Sequence, residues 1–281
     1  MQNLNKAIFV DIDGTLVNDN GVIPESARYA IQAAREKGHL VFICTGRSIA
    51  EIFPDILEVG FDGIIGAAGG YIELGNEVLL NERIQKEHVQ LLVEYFNKHE
   101  IDFYLESNGG LFASVNCKRH LQSIIDQFIK EKPDSEEEIK NGLQPFYDVL
   151  IEGEDLVRDD INKISFLGST VPFDEIENYF QSHFTVIPST VPMFGENSGE
   201  LSLQGIHKAT AIETLITHLK INKENTFGYG DGLNDIEMLQ FVNRGIAMGN
   251  AKKAVMDVAD DVTGTPDEDG ILTSFKKYHL I

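Results

Sequence analysis

Apolar positions along the start of the chain follow two alternating rhythms. Lys6 to Val10 is a short β-branched and aromatic run that predicts a buried strand ending at Asp11. A stretch rich in Gly, Asn and Asp follows and reads as a loop. From Pro24 the spacing changes: Ala27, Ala30, Ile31 and Ala34 fall on one helical face, and Gly38 supplies the stop. His39 to Cys44 predicts a second buried strand, closing at Thr45-Gly46-Arg47. A helix is expected from Ser48, then a third apolar run at Gly63–Ile65 that leads into Ala67-Ala68-Gly69-Gly70. Strands alternating with helices predict a parallel, doubly wound sheet.

The middle of the chain has another pattern. A helix is predicted from Glu87 to Lys98, then two strands about Asn108-Gly109-Gly110, a hairpin signal. A helix near His120–Lys130 precedes an acidic stretch that contains Ser135–Glu138, read as a solvated loop or helix start. A strand at Lys163–Leu167, a helix at Phe173–His183 and a strand at Phe184–Ile187 complete an α+β unit with an antiparallel sheet. From Gly205 the first rhythm returns. A helix from Lys208 to Leu219 carries Ala211, Ile212, Leu215 and Ile216 on one face, and Thr226–Tyr229 is a strand ending at Gly230-Asp231-Gly232. A helix through Asp235–Phe241 and short strands at Gly245–Met248 and Asp261–Thr263 follow. The expected fold class is therefore α/β: a doubly wound parallel-sheet core, residues 1–82 and 189–281, interrupted by an inserted α+β cap at 83–188.

Composition narrows the class of function. The 281 residues are 42% hydrophobic and 24% charged, as in ordinary globular proteins. No apolar run approaches the roughly 20 residues that span a bilayer, which excludes a membrane pump. The opening MQNLNKAIFV lacks the basic and apolar regions of a signal peptide, and Cys44 and Cys117 lie too far apart for a redox or metal pair. These features predict a cytoplasmic protein. Lys and Arg total 23 against 45 Asp and Glu, a formal charge of -22. Such a surface repels nucleic acid and anionic lipid. It also repels a phosphate ester, so an enzyme for phosphates built on this chain must gather positive charge locally, through a metal, a lysine and helix N-termini. The sequence sets no oligomeric state.

Ligands of open parallel sheets bind beyond the carboxyl ends of the strands, and four segments there carry suitable chemistry. In DIDGT, Asp11 and Asp13 flank one residue. One carboxylate can attack phosphorus and the other can protonate the leaving oxygen, then deprotonate water. In CTGR, Thr45 and Gly46 offer a hydroxyl and backbone N–H groups to phosphate oxygens. Lys208, at the start of its helix, places a point charge on a phosphoryl oxygen. In GDGLND, Asp231 suits a Mg²⁺ ion together with Asp11 and a carbonyl near Asp13. Asn234 can donate to phosphate, and Asp235 can orient Lys208 or a metal-bound water. Taken singly each segment is ordinary: an acidic pair in a loop is usually solvated, and a lysine at a helix start needs no function. Glu200 and His207 read equally well as strand-end solvation and helix capping, and Arg47 as structural.

In this order, DIDGT, TGR, the helix-opening lysine and GDGLND resemble the motifs of the haloacid dehalogenase-like hydrolases. GIAMGNA, the later DEDGI and the mid-chain insert are similar to the Cof-type phosphatase branch, whose cap is α/β. The resemblance implies a Mg²⁺-dependent phosphatase acting on a small phosphorylated metabolite, such as a sugar phosphate, through an aspartyl-phosphate. It implies Asp11 as nucleophile and Asp13 as acid/base. Ile12, Thr45, Gly46, Lys208 and Asn234 would hold the phosphate, and Asp11, Asp13 and Asp231 the metal. The chain departs from the pattern at Ala68-Gly69-Gly70, where many relatives carry Asn-Gly-Ala, and at Gly205-Ile206-His207-Lys208-Ala209, where Ser or Asp before Lys-Gly is commoner. A phosphosugar mutase and a phosphometabolite sensor without turnover are the rival readings. Release of inorganic phosphate separates the phosphatase from the first, and turnover from the second.

Overall fold

A computed structural model describes residues 5–132, 139, 143–189 and 191–281. The acidic stretch containing Ser135–Glu138 lies outside the described residues. The chain divides into two compact units: Met1–Arg47, Ile52–Asn81 and Ile206–Ile281 form one, and Ser48–Glu51 with Glu82–Gly205 form the other.

The first unit is built on β1 (Ala7–Val10), every residue of which is buried. A strand buried on both faces needs parallel neighbours and helices above and below. It pairs in parallel with β2 (Leu40–Cys44) on one side and with β12 (Thr226–Gly230) on the other. Beyond β2 lie β3 (Gly63–Gly66), parallel, and an antiparallel edge pair, β4 (Tyr71–Leu74) and β5 (Glu77–Asn81). Beyond β12 lie β13 (Arg244–Ala247) and β14 (Asp261–Val262), both parallel. The eight strands run in the order β14-β13-β12-β1-β2-β3-β4-β5. Chain order reverses between β1 and β12, which opens a crevice at their carboxyl ends.

Helices cover both faces. Phe9, Phe42, Cys44 and Ile65 pack with Ala211, Ile212 and Leu215 of the Lys208–Leu219 helix and Met238 and Leu239 of the Ile236–Phe241 helix. On the opposite face the Glu25–Glu36 helix, burying the expected Ala27, Ala30, Ile31 and Ala34, packs against the Gly270–Lys277 helix. Burial of side chains such as Ile8 and Phe9, both fully enclosed, contributes about 1.5–3 kcal/mol each. Among the described residues no helix is long and apolar enough to cross a membrane.

The second unit holds six strands in the order β10 (Phe184–Pro188), β11 (Gly199–Leu203), β9 (Ile161–Leu167), β6 (Asp102–Ser107), β7 (Gly110–Ala113) and β8 (Leu150–Ile151). All pairs are antiparallel except β7 with β8. Asn108 and Gly109 form the expected hairpin turn. One face of the sheet is a cluster of Phe96, Phe103, Phe166 and Phe180 under the helices Lys86–Lys98 and Phe173–Phe180.

Two expectations are corrected here. The inserted unit ends at Gly205, not at 188, because Gly199–Leu203 lies between β10 and β9 and hydrogen-bonds to both. The helix expected from Ser48 is a short 3-10 turn at Ile49–Glu51 followed by a separate helix at Pro54–Leu57. Pro54 holds Phe53 extended and breaks the two apart.

Ser48–Glu51 belongs to the second unit although its flanks belong to the first. The Ile49 N–H donates to Asn108 Oδ1 at 3.3 Å, and Glu51 accepts the Ser48 N–H and hydroxyl, each at 2.8 Å. Glu51 adds its charge to a buried group in which Lys163 lies 2.9 Å from Glu200 and 3.2 Å from Glu106. Burial, and then the Glu51 charge, holds the Glu106 carboxyl well above the usual range.

Candidate active site

The chemistry-bearing residues of the first unit sit where a strand stops or a helix or helical turn begins. Asp11 follows β1 directly, and its N–H donates to the Tyr229 carbonyl of β12 at 3.0 Å. The turn after it is tight: the Ile12 carbonyl accepts from the Leu16 and Val17 N–H groups at 2.9 Å, while the Ile12 side chain is fully buried. Asp231 follows β12. The Lys208–Leu219 helix begins at Lys208, with His207 as its cap: the His207 ring accepts from the Thr210 N–H.

Lys208 is 1% exposed and its Nζ reaches Asp11 Oδ1 at 2.7 Å and Asp235 Oδ1 at 2.6 Å. The other oxygen of Asp235 accepts the N–H groups of Asp231 at 3.1 Å and Gly232 at 2.9 Å. Asp235, fully buried, thus spends both oxygens on protein donors. Asp231 accepts the Thr15 hydroxyl at 2.9 Å through Oδ1 and the Asn250 amide at 3.3 Å through Oδ2. Asp11, Asp231 and Asp235 each bring an oxygen within 4.8 Å of the others.

So much negative charge around one ammonium changes how readily each group holds its proton. Burial, then the neighbouring Asp235, pushes the Asp11 carboxyl well above the ordinary range. The same causes push Asp231 up to about 7. Burial alone would discharge Lys208, but Asp11 and Asp235 hold its ammonium above its ordinary value. An oxygen-only donor set with excess negative charge fits a hard divalent cation. Asp235 is fully buried and holds the Lys208 ammonium with one oxygen and two backbone N–H groups with the other, whereas Asp231 meets only neutral side-chain donors, so Asp11 and Asp231 are the side chains that would hold it.

Asp13 projects outward, its side chain 60% exposed, and one edge of the Arg47 guanidinium grips both its oxygens: Nε to Oδ2 at 2.9 Å and Nη2 to Oδ1 at 2.6 Å. The Arg47 N–H in turn donates to Thr45 Oγ1 at 3.1 Å. Thr45 is buried at the end of β2. Gly46 lies against the Asn234 amide, which a Cβ there would approach to 3.3 Å. The sequence-predicted residues Asp11, Lys208, Asp231 and Asp235 therefore form one bonded group; Gly46 lies against Asn234, and Arg47 bonds both Asp13 and Thr45. Glu200 is placed elsewhere, on Lys163 in the second unit.

Three contributors were not assigned from sequence. Arg47 read as structural, yet it binds Asp13. Thr15, the last residue of DIDGT, and Asn250, in GIAMGNA, carry no role in the motifs as read from sequence. Both were discoverable by position, since Asn250 follows β13 at the carboxyl end of the same parallel sheet.

Glycine makes the crowding possible. Gly14 has φ +75, and a Cβ on it would run into both carboxyl oxygens of Asp231. Gly14→Ala is expected to lower stability by about 1–3 kcal/mol through the left-handed backbone and to displace Asp231, which thermal melts and turnover would register together. A wild-type melt with wild-type turnover would refute it. Across the site, Ala67 and Ala68 both adopt positive φ, 50 and 53. For non-glycine residues this costs roughly 1–2 kcal/mol each, and it marks the Ala67-Ala68 turn as strained in this chain.

Comparison with known proteins agrees with the geometry. A family profile described as haloacid dehalogenase-like hydrolase matches residues 8–275. The chain is 28% identical to 5-amino-6-(5-phospho-D-ribitylamino)uracil phosphatase YcsE of Bacillus subtilis, over 98% of this chain and 96% of that one. It is 25% identical to phosphatase YwpJ of the same organism, over 98% of this chain and all of that one (100%). Among solved structures it is similar to the subclass IIB sugar phosphatase BT4131, at 26% identity and a TM-score of 0.76, covering 99% of this chain and 100% of the other.

Proposed function

From the premise that this chain belongs to the haloacid dehalogenase-like hydrolases, we propose that it is a Mg²⁺-dependent phosphatase of sugar or polyol phosphates, working through an aspartyl-phosphate on Asp11. The observation that carries the reading is the convergence of Asp11 and Asp235 on the buried Lys208 ammonium, at the carboxyl ends of the central strands. Lys208 fixes Asp11 through Oδ1, so that Oδ2, which accepts no hydrogen bond among the described residues, is presented to phosphorus. Attack forms the new O–P bond as the ester O–P bond breaks, and the departing alkoxide takes a proton from Asp13. Asp13 then removes a proton from water, which attacks the aspartyl-phosphate and releases inorganic phosphate and free Asp11.

Arg47 imposes a condition on this cycle. Two N–H groups of a guanidinium leave a carboxylate's oxygens as acceptors, whereas the first step needs Asp13 to donate. Asp13 must therefore turn away from Arg47 before the leaving oxygen is protonated. Thr45, Gly46, Lys208, Asn234 and the backbone at Ile12 supply donors for the phosphate oxygens. Mg²⁺ held by Asp11, Asp231 and the Asp13 carbonyl would neutralise those oxygens and the crowded carboxylates.

The second unit is proposed as the cap that selects the substrate. YcsE acts on a phosphorylated ribityl compound and BT4131 is a sugar phosphatase, and both names support a polyhydroxylated carbon chain here. Free thiols at Cys44 and Cys117 fit a reducing compartment such as the cytoplasm.

Incubation with a panel of sugar phosphates and an aryl phosphate is expected to release inorganic phosphate with Mg²⁺ and not with EDTA. Absence of release from every substrate by metal-loaded protein would overturn the phosphatase. Transfer of the group back to sugar would identify a mutase, and binding without turnover a sensor.

A further inference from the structure

Asn250 is exposed, yet its side chain makes long-range bonds. Its Nδ2 donates to the Gly14 carbonyl at 2.9 Å, 236 positions away, and to Asp231 Oδ2 at 3.3 Å. An amide NH₂ carries two hydrogens, so one group can serve both acceptors. The first acceptor belongs to the loop that carries Asp11 and Asp13, the second to the loop after β12. Asn250 is thus a cross-link between the two loops that supply the carboxylates.

The residue is held firmly enough to act in this way. The Met248 N–H donates to the Gly230 carbonyl at 3.0 Å, and the Gly249 N–H to the Gly264 carbonyl at 3.2 Å. Gly249 is packed against Thr265 and Gly264 so closely that a Cβ would meet the Thr265 nitrogen at 2.9 Å. The turn is pinned on both sides, and only its side chain reaches forward.

We propose that Asn250 is a positioning residue that sets Asp231 for the divalent cation, an inference that rests on the metal-dependent phosphatase reading above. The chemistry of the donor is the reason. Thr15 holds Oδ1 of Asp231 and Asn250 holds Oδ2, so the carboxylate plane is fixed at both ends. Both partners are neutral. An arginine or lysine in either place would fix the plane equally well but would discharge the carboxylate and repel the metal. A neutral amide restrains rotation and leaves the full negative charge for the ion. Partners of this kind, one bond removed from a metal, are worth about 10–100-fold in metal affinity.

The test is calorimetric titration of Mg²⁺ into the substrate-free full-length chain. Asn250→Ala is expected to weaken Mg²⁺ binding about tenfold or more, with the melting midpoint of the metal-free protein unchanged. Lys252→Ala, on the same turn, is expected to bind as wild type. An Asn250→Ala affinity within about twofold of wild type would overturn the proposal. So would a weakened affinity accompanied by a lower metal-free midpoint, which would make Asn250 a folding residue; Asn250→Ser, a smaller change that keeps a donor, checks that outcome by falling between the two. Wild-type protein that takes up no Mg²⁺ would remove the parent reading, at a step that precedes any variant.

Discussion

Asp11→Asn is expected to lower phosphate release by roughly 10⁴–10⁶-fold, the scale on which removal of a nucleophile acts in a covalent hydrolase. The amide has nearly the shape of the carboxylate, and its oxygen can still accept from Lys208, which lies 2.7 Å from Asp11 Oδ1. What it lacks is the electron density to attack phosphorus. Stability should move the other way. Burial and Asp235 raise the Asp11 carboxyl above its ordinary value, so its native pKa exceeds its unfolded one. For an acid shifted upward, the folded state holds the proton longer than the unfolded chain, and stability declines as pH rises through that window. Replacing the carboxylate with a neutral amide removes that cost at neutral pH. The variant is expected to melt at or above the wild-type midpoint while releasing almost no phosphate. Residual release within tenfold of wild type would dislodge Asp11 from the mechanism.

Lys208→Met has the second large effect, and it falls on the fold as well as on the chemistry. Met matches the length of the lysine stem and lacks the ammonium. Asp11 and Asp235, each held within 2.7 Å of Nζ at present, would then face each other in a buried site with no shared cation. Breaking a buried ion pair from one side costs about 3–5 kcal/mol, and denaturant unfolding at neutral pH should show a loss of that order. The sign of the pH dependence follows from the same crowding. Without the lysine the two carboxyls bind protons more readily in the folded state, so the variant should recover part of its deficit as the solution is made mildly acidic. Turnover should be lost under all conditions, because among the described residues Lys208 is the one side chain that bonds the Asp11 carboxylate. An unfolding curve that overlays wild type would show that Lys208 does not balance these carboxylates.

Much of this arrangement could be read from residue order, for definite reasons. The central strands of a doubly wound sheet are buried on both faces, so runs such as Ala7–Val10 and Thr226–Gly230 announce themselves. Asp11, Thr45 and Asp231 are legible because the carboxyl end of such a strand is a fixed place in the fold. Less legible were features decided by distant pairing. Gly199–Leu203 alternates apolar and polar residues like many half-buried strands, and only its ladders with Phe184–Pro188 and Ile161–Leu167 assign it to the second unit. The edge pair Tyr71–Leu74 and Glu77–Asn81 went unread for a similar reason. Its members are short and only partly buried, with a Gly75-Asn76 turn as the single local sign. Arg47 and Asn250 escaped because a polar side chain that is half-buried or exposed carries no hydrophobic periodicity. Their roles exist only in what they reach, Asp13 in one case and Gly14 and Asp231 in the other.

The membership of Ser48–Glu51 bears on how this protein can be recombined. Two cuts, before Glu82 and after Gly205, look sufficient to transplant the second unit into a homologous scaffold. They are not, because Glu51 and the Ile49 N–H would stay behind with the recipient while Glu106, Lys163 and Asn108 left with the donor. A chimera made that way inherits a buried lysine and carboxylates balanced for a neighbour it no longer has. The transferable module is discontinuous, and its smaller piece begins one residue after Arg47, at the edge of the catalytic machinery itself. Whole-module grafting must therefore splice the chain directly after Arg47, so that point substitution within Glu82–Gly205 is the gentler route.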